Sequence, residues 1–492
     1  MRIRSGYLCV RLELRRLRHS FVTTPIFYVN AAPHLGHLYS AVLADATHRW
    51  EKLRAPEDRH LFSTGTDEHG SKIQKAALEK NVLPSAHCQD VSGSFRRLFD
   101  QFDIFYTDYI RTTEDRHKQT VQTVWKRLAD AGLIYKGTYG GWYSIVDECF
   151  YTDAEVTKTR DKAKNEITIA KETKAPVEWV EETNYMFRLS EFRESTRKIL
   201  ETDLIQPDHY KSLALQELSI SRDDLSVSRD SSRLQWGIPV PDDPQQTIYV
   251  WLDALTNYLT VNGYPDAMQL PAPTCQIIGK EIVRFHAVYW LAFLQALKLP
   301  IPEKIFVHGH WLVDGVKMSK SVGNVVDPLD LVKTLGSDGV RFFLLSRGVL
   351  RDNCNFSKNN AVHLLNGVFA KIIGSLLKRA TYAGWNGRQV YPVYSNPPEK
   401  CARDVEELIG ELNAIRGSVE QQYDQLRFYE GIEQVTQLLK RAARTMESAQ
   451  LMKEPDERKR DSVLCVVFEA LRIGSILLSP IVPRLAKHTL ER

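Results

Sequence analysis

The chain predicts a parallel α/β domain, interrupted by an insertion and followed by an all-helical bundle. Three observations carry that prediction. SFVTTPIFYVN runs into AAPHLGHLYSAVLADATHRWEKL, and HLFSTGTDEHGSKIQKAAL repeats the pattern. A buried strand, a tight turn and a helix in that order open a parallel sheet. The texture then turns polar and hairpin-like from about residue 133. Beyond about residue 350 strand signals stop and apolar residues recur every three or four positions, the spacing of packed helices.

The elements divide the chain as follows. Residues 1–20 form a leader and 21–132 the first half of the α/β domain. There, Leu38, Val42, Ala46, Trp50 and Leu53 share one helix face. Residues 133–245 are the insertion, with GWYSIVDECFYTDAEVTK as a hairpin and RDKAKNEITIAKETKAP as a polar run. Residues 246–350 resume the α/β pattern through TIYVWLDALTNYL, TCQIIGKEIVRFHAVYWLAFLQAL and the strand KIFVHGHWLV. Residues 351–492 supply about four or five helices, with the Pro-rich loop PVYSNPPEK between the first two.

At 492 residues, 43% hydrophobic and 26% charged, the chain has ordinary globular composition and length for two to four domains. No long apolar stretch lacks charges, so membrane insertion is not expected. The net charge of +4 is local. The leader MRIRSGYLCVRLELRRLRHS holds six arginines and one acid, and the remaining residues sum to about −1. An Arg-rich, acid-poor segment interleaved with Leu and Val can form a basic amphipathic helix, the signature of a mitochondrial transit peptide. A nucleic-acid partner would have to be held by local basic patches, because the overall field is weak. The seven cysteines, at 9, 88, 149, 275, 354, 401 and 465, include no CxxC pair. Neither a structural zinc nor a disulfide framework is expected.

Two motifs carry chemistry. In PHLGH, His34 and His37 stand three residues apart in the first turn of a helix, so their rings share a face. Gly36 admits a ligand to the backbone, where free N–H groups favour phosphate. Alone, HxxH reads equally as two structural histidines. In DGVKMSKSVGN, Lys317 and Lys320 flank Met318 and Ser319 on a Gly-bounded loop. Alone, that is a solvated turn. HGH at 308–310 could bind metal, or could place two structural histidines on one strand face.

Taken together, HxGH at the first strand–helix turn and KMSKS after the last strand resemble the two signatures of class I aminoacyl-tRNA synthetases. The resemblance implies a Rossmann-type sheet on which both motifs converge on ATP. The blocks PIFYVNAAPHLGH, STGTDEHG, YVWLDAL, IIGKEIVRFHAVYW and VKMSKSVGNVVDP are similar, in order, to those of methionyl-tRNA synthetases, among them the mitochondrial form.

That resemblance implies His34, His37, Lys317 and Lys320 as catalytic residues. It implies Gly36, His37, Glu281, Lys317, Ser319 and Lys320 around ATP, which would carry its own Mg²⁺. Methionine would lie among Ile26, Tyr28, Asp67, Trp251, Ala254, Leu255, Tyr258 and His286, with Asp67 on its amino group and Trp290 close by. Arg229 matches an arginine near the active site. A thioether offers no strong hydrogen bond, so selection by shape and sulfur–aromatic contact is sensible.

The bundle would bind the anticodon of tRNA(Met) through Arg379. A monomer in the mitochondrial matrix, without membrane insertion, is the expected form. The chain departs from the family in places. Cys149 stands without a zinc knuckle, Ser375 occupies an anticodon-reading Asn position, and SAQLMKEP lacks the stacking tryptophan.

Overall fold

The computed structural model describes residues 19–145, 149–161, 165–171, 173–221, 224–318, 323–387 and 390–492. Seven strands pair in parallel around His19–Thr23, which lies between Arg59–Asp67 and Cys275–Gly279. Beyond Cys275–Gly279 come Ile305–His308 and then the two-residue edge strand Ile205–Gln206. Phe27–Tyr28 and Asp108–Arg111 both pair with Arg59–Asp67. Phe21 and Val22 on successive faces are both fully buried, as strands covered by helices on two sides require. The strand order reverses between His19–Thr23 and Cys275–Gly279. Ligands of open α/β sheets bind outside the C-terminal ends of the strands at such a point. All the leader but its last two residues lies outside the described residues.

The segment 133–245 is more divided than its texture suggested. Ile134–Ser144 pairs antiparallel with Glu178–Phe187 and Cys149–Tyr151, and Val156–Arg160 pairs with Glu166–Ala170. Residues 193–220, however, return to the main domain as helix Arg193–Leu200, the edge strand Ile205–Gln206 and helix His209–Ile220. Two residues are too few to show a strand period, which is why this return was not legible.

Among the described residues, five helical segments longer than a single turn close the chain: residues 358–380, Ala402–Tyr423, Phe428–Ser448, Glu457–Leu478 and Pro483–Leu490. The first contains a π-helical stretch, Asn366–Gly374. Its buried positions are Ala361, Leu365, Val368, Ile373, Leu376 and Ala380, and the five-residue step from Val368 to Ile373 is where the wider turn resets the buried face. Among the described residues, this helix is the one long and apolar enough to cross a membrane by length and composition. A strand also appears past residue 350, contrary to expectation: Cys354–Phe356 pairs with Trp311–Val313. Arg341, fully buried, ties the bundle to the α/β domain. It pairs with Asp45 at 2.6 Å and donates to the carbonyls of Pro480, Ile481 and Phe102.

Candidate active site

The first helix, Leu35–Arg54, opens at the switch point with its two histidines capping each other. His34 Nδ1 accepts from the Gly36 backbone N–H at 3.1 Å, and His37 Nδ1 accepts from the His34 N–H at 3.2 Å. The rings stack at 3.8 Å. A side chain at Gly36 would place its Cβ 3.0 Å from the His34 ring, so glycine lets the ring fold back over the helix start. Because each Nδ1 accepts, each neutral ring carries its proton on Nε2 and keeps that N–H as a donor. Burial pushes the His34 pKa down, against the opposing Glu281 charge. Burial, with His34 beside it, pushes His37 well below its ordinary value. Both rings are therefore uncharged donors at neutral pH.

Across the cavity, Trp311–Val313 and Val316–Lys317 form a hairpin. Its turn residues, Asp314 and Gly315, both have positive φ, 51° and 75°, the type I′ geometry that Asp-Gly favours. The turn delivers Lys317 to the cavity wall, close enough for its charge to act on His34. Asn324 Nδ2 donates to the carbonyls of Val316 and Lys317 at 3.4 and 3.3 Å, joining the far side of the loop to the hairpin. Ser319 and Lys320 lie outside the described residues. Glu281 follows the strand Cys275–Gly279. Burial works against its charge, but the His310 Nε2–H donated at 2.6 Å, the charge of that ring, a backbone N–H and His308 together outweigh it, and the carboxyl is held down at about 2.

One cavity of about 520 Å³ joins these groups to a second cluster. Ile26, Tyr28, Asp67, Trp251, Ala254, Leu255, Tyr258 and His286 all line it, as do His34, Gly36, His37, Glu281 and Lys317. Residues from segments more than 200 positions apart thus share one wall. The inner end is apolar and uncharged. Tyr258 Oη donates to His286 Nε2 at 2.8 Å, and His286 Nδ1–H donates to the Ile282 carbonyl at 3.0 Å. Burial brings the His286 pKa down to about 4 and pushes the Tyr258 hydroxyl up. Trp251 stacks on Phe285 at 3.6 Å, and Trp290 packs on Tyr258 at 5.6 Å. Such a floor suits a polarizable, hydrogen-bond-poor group. A larger cleft, about 1020 Å³, lies between the other ends of the strands and the bundle and holds none of the motif residues.

A family model described as "tRNA synthetases class I (M)" matches residues 20–381. The chain belongs to this family of class I tRNA synthetases. It is 44% identical to the mitochondrial methionine–tRNA ligase of Xenopus laevis, covering 96% of this chain and 86% of that one. It is 43% identical to the human mitochondrial methionine–tRNA ligase, covering 96% and 83%. Among solved structures, Mycobacterium tuberculosis methionyl-tRNA synthetase in complex with methionyl-adenylate superposes with a TM-score of 0.90 at 34% identity, covering 96% and 93%. The apo form of that enzyme gives 0.82 at 31%, covering 97% and 92%.

In this synthetase the HGH histidines do not share a strand face. The strand ends at His308, whose Nε2 contacts Ser40 Oγ at 2.8 Å, while His310 serves Glu281. Among the described residues no cluster of three or more His, Cys, Asp or Glu side chains could hold a metal. Arg229 is buried outside this cavity, in a cage of Tyr143, Phe150 and Tyr249. Arg379 lies in the bundle, paired with Glu447 at 3.0 Å. Beside it the structure supplies aromatics that SAQLMKEP lacks. Trp385 Nε1–H points to Met452 Sδ at 3.0 Å, and Tyr382 packs edge-on to Trp385 at 5.5 Å. Tyr382 and Met452 are exposed. Sequence reasoning also missed the pairing of His310 with Glu281, for which HGH and GKE were the available signal.

Proposed function

We propose that this synthetase is a mitochondrial methionine–tRNA ligase whose switch-point cavity joins methionine to AMP and then to the 3′ end of tRNA(Met). The observation that carries the site reading is a single cavity with neutral N–H donors and Lys317 at one end and an uncharged aromatic floor at the other. Similarity to mitochondrial methionine–tRNA ligases and to a synthetase bound to methionyl-adenylate supports the substrates.

In this reading the thioether rests on Tyr258, His286, Leu255 and Ala254, with Trp251, Ile26 and Tyr28 around it. The Asp67 carboxylate receives the ammonium. A methionine carboxylate oxygen attacks the ATP α-phosphorus; the new O–P bond forms as the bond to pyrophosphate breaks, and the electron pair leaves with pyrophosphate. His34 and His37 donate Nε2–H to phosphate oxygens at the helix start, where the backbone N–H groups of His34 and Gly36 are taken up by the two Nδ1 atoms and the rings carry the donors outward. Lys317 and Lys320, with Ser319, neutralise the charge that grows on the leaving group. Glu281 lies at the nucleoside side, oriented by His310. Mg²⁺ would accompany ATP and would supply neutralising charge at the phosphates. A terminal ribose hydroxyl of the tRNA then attacks the methionyl carbonyl and AMP leaves.

The anticodon is assigned to the bundle around Arg379, the location to the matrix and the working unit to a single chain. The decisive experiment is exchange of labelled pyrophosphate into ATP. Methionine should drive it; exchange with leucine or cysteine and none with methionine would overturn the reading.

A further inference from the structure

Behind the cavity, one buried carboxylate takes hydrogen bonds from two histidines brought from distant parts of the chain. Asp253, 1% exposed on helix Val250–Thr260, accepts from His69 Nδ1 through Oδ2 and from His117 Nε2 through Oδ1, each at 2.7 Å. The outer ring nitrogen of His117 contacts Thr260 Oγ1 at 2.9 Å. At about 100° per residue, Asp253 faces away from Trp251, Leu255 and Tyr258, so it lies behind the pocket-lining face of its helix. It is absent from the cavity wall, as are His69 and His117. Burial raises the pKa of Asp253, but the two histidines more than offset it and keep the carboxyl ionised.

His69 stands two residues beyond Asp67, and its backbone N–H points to Asp67 Oδ1 at 3.4 Å. Glu68 between them turns aside and is held by Arg111 at 2.6 Å and by Thr66 at 2.8 Å. The chain after this strand is thus pinned on two sides. Trp236 closes the set, donating Nε1–H to the Glu68 carbonyl at 2.6 Å and packing edge-on to the His69 ring at 5.9 Å. A buried carboxylate left with unmatched partners is costly, so the geometry of 67–69 follows that of Asp253.

We propose that the His69–Asp253–His117 clamp is a positioning device, with Asp253 acting through the His69 backbone to aim the Asp67 carboxylate at the methionine ammonium. The inference rests on the reading that Asp67 holds that ammonium. It predicts a loss confined to ligands that carry the amine.

The test measures binding of L-methionine and of its des-amino analogue, 4-(methylthio)butanoate, by calorimetry on the full chain and its variants, with KM for ATP from pyrophosphate exchange. Asp253→Asn should weaken L-methionine about 10- to 100-fold, the worth of a charge-assisted hydrogen bond. Affinity for the analogue and KM for ATP should change less than about twofold, a split that general loosening would not produce. Equal weakening of both ligands, or of neither, overturns the proposal. If Asp253→Asn does not fold, His117→Gln and His117→Leu decide on the same readout. Gln keeps an N–H donor near the Nε2 position and should retain methionine affinity, whereas Leu should lose it selectively; indistinguishable variants overturn the proposal. Asp67→Asn separates the two readings. Loss of the preference for L-methionine there, but not in Asp253→Asn, removes the clamp alone. An unchanged preference in Asp67→Asn removes the Asp67 assignment and the clamp with it.

Discussion

His37 performs two tasks with two ring nitrogens, and a pair of substitutions separates them. Nδ1 accepts the His34 backbone N–H at 3.2 Å, closing the helix cap; Nε2–H is the donor left over for phosphate. Asparagine places its side-chain oxygen near the Nδ1 position and reaches no further. His37→Asn therefore keeps the cap and deletes the outer donor. Glutamine reaches the Nε2 position with an N–H but offers no acceptor at Nδ1, so His37→Gln does the reverse. Removing one preorganised donor from a dry site costs about 10²- to 10³-fold in kcat, about 3–4 kcal/mol in the barrier. Removing a helix cap costs about 0.5–2 kcal/mol of stability. In methionine-dependent pyrophosphate exchange, His37→Asn should lose kcat with an unchanged melting temperature. His37→Gln should keep most of its rate and melt about 1–2 °C lower. If His37→Asn melts early with an undiminished kcat, or both variants lose rate equally, the division of labour is wrong.

Four further outcomes follow from the same structure. His48 is buried with neither ring nitrogen hydrogen-bonded, and its pKa is brought down to about 4 by burial. Between about pH 6.5 and 4 the unfolded chain binds a proton there that the folded chain does not, so stability is lost as pH falls through that window. At about pH 5 the loss is about 2 kcal/mol, and His48→Leu should remove it from the difference between urea unfolding at neutral pH and at pH 5; an undiminished difference refutes this. Arg341→Met leaves the buried Asp45 to Arg49 and the Phe105 N–H and takes the Arg341 donors from the carbonyls of Phe102, Pro480 and Ile481, and should cost about 2–5 kcal/mol, read by denaturant unfolding. Tyr258→Phe leaves His286 Nε2 without its donor and should raise KM for methionine about 10-fold, the lower part of a 1–3 kcal/mol penalty, with KM for ATP unmoved. Trp385→Ala should raise KM for tRNA about 5- to 100-fold, within the 1–3 kcal/mol typical of base–aromatic stacking, and leave pyrophosphate exchange intact; parallel loss of both activities would place Trp385 in folding alone.

Legibility followed the range of the interactions. The strand–turn–helix openings and the HLGH start are local, set by side-chain period, and they could be read directly; the segment at Asp314 and Gly315 reads as a loop, and its hairpin exists because Val316–Lys317 pairs with Trp311–Val313. The edge strand Ile205–Gln206 and the strand Cys354–Phe356 have no period of their own and exist because a neighbour offers unpaired backbone groups. Arg341 reads as an ordinary helical cation, yet it is fully buried because Asp45 and three carbonyls meet there.

The candidate site divides in the same way. His34 and His37 are three residues apart, and helix geometry alone puts their rings together. Which nitrogen faces the cavity depends on the backbone donors of the helix start, a property of the folded cap. Glu281 next to His310, Tyr258 on His286 and Asp253 between His69 and His117 join residues 28 to 184 positions apart. Residue types and their local order by themselves determined the elements, the family blocks and the chemistry the chain could offer. The tertiary structure alone decided which groups pair and which stay uncharged, because burial and the partner across the cavity are set only when distant segments close on one another.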